Sequence, residues 1–404
     1  MKNKTYHNDM NITQKLYDVD AYATEFSAKV ISCDKKSYNN GQTKTEGFAL
    51  VLDKTLFFPE EGGQSCDKGT VDSVAVEHVA IADGKIEHFV SVAFEQGAQV
   101  CGKIDFSHRY RNMQHHSAEH IFSGLASSLF GVKNVGFHLG KEFMTMDYDA
   151  VLTKEMIDKI ESFANEVIYK NLDISAKYYD AEELCDVEYR AKIDIRGDIR
   201  IVTIPDVDVC ACCAPHVAKT GEIGIIKVTD FEKYKGGTRV YVVCADDALC
   251  NYRMQNDDIT AMSRLFSVKK EDVLCGAQKL VRENERLCAD LSALNKKYCV
   301  LLAQSFENTD KPICVFESGI GAGGMRIVAN ELVAKTPLAL VFDLKENDTY
   351  NFIMASEKLN CKDLIKTISA SFNAKGGGSE KMVQGTICAE KAKIQEFFEN
   401  VDLA

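Results

Sequence analysis

Five histidines fall between residues 108 and 138, and a sixth, His216, stands among three cysteines, in a 404-residue chain that holds 9 histidines in all. His116 and His120 are four apart in a segment of helical texture. That spacing puts two imidazoles on one helix face, close enough for one metal ion to bridge. The run Cys210-Ala-Cys212-Cys213-Ala-Pro-His216 holds a Cys-x-x-x-His pair, Cys212 and His216. Three imidazoles and a thiolate form a tetrahedral N3S set that favours a single Zn2+ over hard cations. Cys210 and Cys213 are themselves at chelating Cys-x-x-Cys spacing, so on spacing alone either can join or replace Cys212.

Two other patterns compete. His116-Ser-Ala-Glu119-His120 is a literal H-x-x-E-H, the inverted zinc-protease helix with Glu119 as general base. It requires a further acidic ligand downstream and leaves Cys212 and His216 without a role. Gly319-Ile-Gly321-Ala-Gly-Gly324 is a literal G-x-G-x-x-G between an expected strand and an expected helix, with Asp343 ending the next strand. The residues that follow are too few for both halves of a dinucleotide-binding sheet.

The elements that must position these residues are read from periodicity. Residues 11–105 alternate short β-type runs with turns, including Asp83-Gly84, and predict a small N-terminal β-barrel. The period becomes helical at 113–130 and again at 154–170, and strand-like runs return at 200–205, 223–228 and 239–243. Residues 106–250 are therefore expected to be an α+β domain that carries the metal ligands. Residues 251–308 predict a long helical or coiled-coil segment. Val273, Leu280, Leu287, Leu294 and Leu301 recur every seven residues, with Ala277, Asn284, Leu291 and Tyr298 on the alternate seam. Leu274, Val281, Cys288 and Leu302 widen the stripe, so an intrachain hairpin with 259–266 and a homodimer both stay open. Residues 309–404 alternate strands and helices and predict a compact C-terminal α/β domain, completing an α+β multidomain chain.

Composition narrows the function classes. With 46% hydrophobic and 27% charged residues, the chain is an ordinary globular protein. A formal charge of -12 excludes coating of nucleic acid through bulk charge but leaves room for local basic patches. No apolar run approaches the roughly 20 residues that span a bilayer, so no membrane association is expected. Fifteen scattered cysteines and no signal peptide predict a reducing cytoplasm, with the first nine residues a loose leader or a start-site artefact ahead of Met10.

Four elements in order carry a family resemblance. They are Phe57-Phe-Pro-Glu-Glu-Gly-Gly-Gln64 with Asp67-Lys-Gly-Thr70, then His116-x-x-x-His120, then Cys212-x-x-x-His216, then Thr220-Gly-Glu-Ile-Gly224. Together they resemble the editing module of alanyl-tRNA synthetase and its free-standing relatives, the AlaX proteins. Lys375-Gly-Gly-Gly-Ser379 and Met382-Val-Gln-Gly385 are similar to the synthetase's C-terminal, DHH-associated domain, so the resemblance runs from about Thr13 to near the end. The ligand positions match, while the family's Cys-Gly-Gly-Thr-His is Cys-Cys-Ala-Pro-His here and its His-Thr-Ala-Thr-His is His-Ser-Ala-Glu-His.

The resemblance implies a zinc-dependent, trans-acting deacylase. Its partner would be alanine tRNA mischarged with serine or glycine, which small-residue sites reject by only about 1–3 kcal/mol. Because the editing module starts almost at once, the chain is not expected to charge tRNA. The ligands would be His116, His120, Cys212 and His216. Thr55 and Gln64 match positions that line the amino-acid pocket, and Glu119 is a further catalytic candidate. A zinc with four protein ligands either loses one to activate water or orients the substrate, and positioning is the expected role. Candidate tRNA contacts are Arg109, Arg111, Arg190, Lys192, Arg196, Arg200, Lys233, Lys235 and Arg239, with Gly376, Gly377 and Gly378 for close backbone approach. A non-catalytic tRNA-binding or synthetase-binding protein with structural zinc is the remaining class.

Overall fold

The computed structural model describes residues 13–39, 44–180, 182–191 and 198–400. The chain divides into two units, residues 1–258 and 259–404. In the first, six strands pair in a closed ring. Their order is Glu25–Asn39, Lys44–Leu52, Lys85–Val90, Val74–Ala82, Gly69–Val71, Gln99–Ile104 and back to the first. Strand alternation sends Val30, Leu50, Leu52, Val76, Val79, Ile86, Val90 and Val100 inward, where they pack on Phe57 and Phe58.

Helix α1 (Phe106–Phe130) follows the ring. Asp105 caps it by accepting from the amides of Ser107 and His108, and Gly131 ends it in the left-handed region at φ 67°. The helix begins seven residues before its apolar periodicity does, because Arg109 is fully buried in the first turns. From His115 to Gly124 every residue is buried, so α1 is enclosed on all sides. Helix α2 (Lys154–Lys170) buries Ile157, Ile160, Ala164, Val167 and Ile168 on one face. Both helices share a core with the antiparallel sheet Ile226–Tyr234, Gly237–Cys244, Met144–Tyr148 and Asn134–Leu139. A second antiparallel sheet, Ser175–Tyr179, Ile199–Ile204 and Asp208–Ala211, ends at the cysteine run.

Helix α3 (Ala245–Phe266) leads into the second unit and α4 (Val273–Gln304) follows. The heptad segment is one continuous helix. Of the two alternatives left open, a hairpin with 259–266 does not cover it: Leu274, Leu280, Leu287, Leu291, Leu294 and Leu301 are all more than half exposed. The two helices meet near their junction, where Phe266 packs on Gly276. At its C-terminal end α4 buries Cys299 and Ala303 in a core with α5 (Gly321–Leu332). The sheet of this unit runs Ile313–Glu317, Ala339–Glu346, Thr349–Ala355, Met382–Cys388, Asn373–Gly378, with the first pair parallel and the others antiparallel. Helices α6 (Cys361–Ser371) and α7 (Lys391–Asn400) complete it. Among the described residues no helix is long and apolar enough to cross a membrane, and all fifteen cysteines are free.

Candidate metal centre

His116, His120, Cys212 and His216 converge, with one ligand atom from each lying within 4.8 Å of all the others. The two α1 histidines come together through helical pitch. Cys212 and His216 arrive on a turn held by Arg200, whose Nη1 donates to the carbonyls of Cys212 and Ala214 at 2.9 Å each. The Cys212 sulfur lies 3.5 Å from His116 Nε2 and 3.4 Å from His216 Nε2.

Each imidazole turns its other nitrogen away from the group. His116 Nδ1 donates to Gln64 Oε1 at 2.8 Å. His120 Nδ1 donates to Asp208 Oδ2 at 2.9 Å. His216 Nδ1 lies 3.0 Å from the Ser117 hydroxyl, which also accepts from the Val217 amide. Outer partners of this kind fix ring orientation and leave Nε2 free to bind a cation. The residues therefore fit a zinc ion, with three Nε2 atoms and one sulfur as donors.

The three neighbouring cysteines differ. Burial opposes ionisation of Cys212, but His116 and His216 beside it outweigh burial and hold the thiol well below its ordinary value. Burial pushes Cys210 up to about 11 and raises Cys213, which lies beside Glu61. Cys212 is thus the ionisable donor of the run. Cys210 groups instead with His120 and Asp208.

Gln64 reaches His116 from a turn in which Glu61 and Gln64 exchange backbone hydrogen bonds across Gly62 and Gly63, at φ 63° and 82°. A side chain at Gly63 would sit 2.2 Å from the Phe137 carbonyl, so glycine lets the turn dock on that strand. The Gln64 Nε2 is buried and has no hydrogen-bond partner. Glu119 Oε2 lies 3.8 Å from His120 Nε2, and its Oε1 accepts from Ser123 at 2.8 Å and from Asn134 at 2.7 Å. For the H-x-x-E-H reading, the group contains Cys212 and His216 in place of the distant acidic ligand that pattern requires. Thr55 is fully buried. Its hydroxyl is engaged by His88 Nε2 at 2.8 Å and by the Phe57 amide at 3.0 Å, so its donor and an acceptor site are committed inside the ring.

Several basic residues read from sequence as RNA contacts turn inward. Arg109 is fully buried; its Nε donates to Asp67 at 2.9 Å, and its Nη2 pairs with the same carboxylate. Arg190 grips Asp208 through two bonds, and Arg200 holds the cysteine turn. Arg111 pairs with Asp247 at 2.7 Å and donates to the carbonyls of Gly140 and Lys141. Burial explains the correction for Arg109 and Arg200, whose guanidiniums bond carboxylate and carbonyl oxygens inside the fold; Arg111 and Arg190 are part-buried and held by Asp247 and Asp208. Lys233 and Lys235 are exposed, and Arg239 is half-buried, pairs with Asp147 and stacks on Tyr234. Lys192 and Arg196 lie outside the described residues.

The glycines of the second unit are also accounted for. A Cβ on Gly376 would lie 2.9 Å from the Gln384 carbonyl and one on Gly378 would lie 2.2 Å from that of Met382, so both serve hairpin packing; Gly377 has open space. At the G-x-G-x-x-G run, Asp343 accepts from the Gly319 amide at 2.6 Å and the Gly321 amide at 2.9 Å. A carboxylate therefore already sits where a dinucleotide pyrophosphate would bind.

Sequence reasoning missed Asp208, Ser117 and His88. Ser117 adjoins a ligand and Asp208 precedes the cysteine run by two residues, so proximity in sequence was the available signal.

Residues 199–241 match the family model described as the threonyl and alanyl tRNA synthetase second additional domain. Residues 1–108 match that of class II (A) tRNA synthetases. The chain is 28% identical to the alanyl-tRNA editing protein Aarsd1 of Danio rerio, over 91% of this chain and 92% of that protein. It is 25% identical to the alanyl-tRNA editing protein AlaX-L of Pyrococcus horikoshii, over 96% and 97%. A match of 32% identity to the alanine–tRNA ligase of Halobacterium salinarum covers 68% of this chain and 31% of the ligase. With both synthetase-related models matched and the likeness spanning nearly all of both chains, this chain is homologous to the alanyl-tRNA editing proteins over most of its length.

Proposed function

We propose that the chain is a zinc-dependent aminoacyl-tRNA deacylase acting in trans on alanine tRNA mischarged with serine or glycine. The observation that carries this reading is the convergence of three imidazoles and the Cys212 thiol, with every imidazole Nδ1 already engaged. Homology to the editing proteins supports the ester of a charged tRNA as the bond that is cut.

His116, His120, Cys212 and His216 would hold the ion, which when bound supplies positive charge to orient the aminoacyl ester. Gln64 keeps one amide edge on His116 and offers its unpartnered Nε2 as a donor to a substrate carbonyl. Glu119, beside His120 and oriented by Ser123 and Asn134, would accept a proton from the attacking water. Lys233, Lys235 and Arg239 offer local positive charge for the tRNA, and the exposed heptad stripe of α4 is available to a second copy of the chain. The four-part division at residues 105, 250 and 308 and a cytoplasmic setting belong to the same reading.

The test is deacylation of serine-, glycine- and alanine-charged alanine tRNA by zinc-loaded and chelator-treated protein. Expected is hydrolysis of the first two substrates, sparing of the third, and loss of activity with the metal. Mischarged tRNA left intact by the zinc-loaded protein overturns the proposal.

A further inference from the structure

We infer that Asp208, clamped by Arg190, is the positioning residue that fixes His120 as the most firmly held of the metal ligands; this rests on the zinc reading above. Asp208 and His120 side chains are each 2% exposed, and Asp208 Oδ2 accepts from His120 Nδ1 at 2.9 Å. Arg190 meets the same carboxylate in a fork, with Nε 2.6 Å from Oδ1 and Nη2 2.9 Å from Oδ2. The fork compensates a buried negative charge and fixes the carboxylate plane that faces the imidazole.

The packing is built for this approach. Gly124 stands one helical turn beyond His120, and a Cβ there would fall 2.5 Å from the Val207 carbonyl and 2.9 Å from Asp208 Cβ. Glycine thus admits the strand that carries Asp208 against α1. The other two imidazoles lean on neutral groups, the Gln64 amide and the Ser117 hydroxyl. A charge-assisted bond is stronger and makes its imidazole the better donor. Asp208, His120 and Cys210 also have the spacing of a second cation site. The Arg190 guanidinium already supplies the positive charge there, so Asp208 serves the first site.

Zinc affinity is measured on the full chain by competition with a chromophoric chelator, beside the cobalt(II) ligand-field spectrum. Asp208→Asn is expected to weaken zinc binding about 10- to 100-fold and to shift the cobalt bands. Ser117→Ala should weaken binding less, and Asp208→Glu should recover part of the loss. Asp208→Asn binding zinc within about twofold of the parent overturns the inference. If Asp208→Asn does not fold, Arg190→Gln carries the test, with about tenfold weaker binding expected and parental affinity overturning. These readouts need no tRNA. A parent that binds zinc but spares mischarged tRNA sinks the proposed function and leaves this inference standing, whereas a parent that binds no zinc sinks both.

Discussion

Thr55 Oγ1 and His88 Nε2 lie 2.8 Å apart in the interior of the N-terminal ring, both residues fully buried. His88 Nδ1 faces the Leu50 carbonyl at 3.0 Å and must carry the proton, so Nε2 accepts from the Thr55 hydroxyl. The hydroxyl oxygen in turn accepts from the Phe57 amide. A hydrogen-bond chain therefore fixes the backbone between the ring and the Phe57–Gln64 loop.

This chain makes the first unit acid-sensitive. Burial lowers His88 to about 4, against about 6.5 for an unfolded histidine. The unfolded state then binds more protons between those values, so the stability is present in full above pH 6.5 and is lost as pH falls towards 4. From pH 7 to pH 5 the parent should lose about 2 kcal/mol that His88→Gln does not lose. Urea unfolding of the N-terminal unit at the two pH values reads this directly, and equal losses in parent and variant would refute it.

Arg109 separates a structural guanidinium from an RNA contact. Removing one partner of a buried ion pair costs about 3–5 kcal/mol because the other charge is stranded. Arg109→Ala should therefore lower the melting temperature sharply and leave Asp67 unpaired in the core. Lys233→Ala and Lys235→Ala should leave melting unchanged, and each should reduce the salt slope of tRNA binding by about 1. Near-parental melting of Arg109→Ala would restore that residue as a surface contact.

The glycine-rich run before α5 makes a prediction against ligand binding. Asp343 already satisfies the Gly319 and Gly321 amides, so titration with NAD should show no saturable signal. Asp343→Ala should destabilise the second unit by about 1 kcal/mol, the net worth of hydrogen bonds to amides that water can reach once the carboxylate is gone. Saturable NAD binding by the parent would overturn this account.

What the sequence disclosed follows from how far apart the partners lie. His116 and His120 were legible because helical pitch alone brings them together, and Cys212 with His216 because one turn does the same. Their outer partners were not: Gln64 is 52 residues from His116, Asp208 is 88 from His120, and Ser117 is 99 from His216. Periodicity carries no signal for contacts made by folding. The arginines failed for a related reason. Arg109 and Arg200 sit in charged, polar stretches that look solvated, and only the packed interior shows which carboxylates and carbonyls they serve. The heptad of α4 was visible, but its partner surface was not, since an apolar stripe reads alike whether another helix covers it or solvent does.

The glycine run at 376–378 allows a finer separation, because three neighbouring identical residues differ in what surrounds them. Gly378 lies where a Cβ would collide with the Met382 carbonyl at 2.2 Å, and Gly385 across the hairpin meets Lys375 in the same way. Neither contact is the end of a flexible side chain, so the strands must part to admit a methyl group. Gly378→Ala should therefore lower the stability of the second unit, read by thermal melting and by protease sensitivity of residues 373–388. Gly377 faces open space, and its substitution leaves the hairpin intact. Gly377→Ala should melt like the parent, which makes it the clean probe of RNA approach. If Gly377→Ala weakens tRNA binding at unchanged stability, the exposed middle of the run contacts the nucleic acid. If binding is unchanged as well, the glycines are there for the hairpin, and the basic turn at Lys233 and Lys235 becomes the place to look for the tRNA.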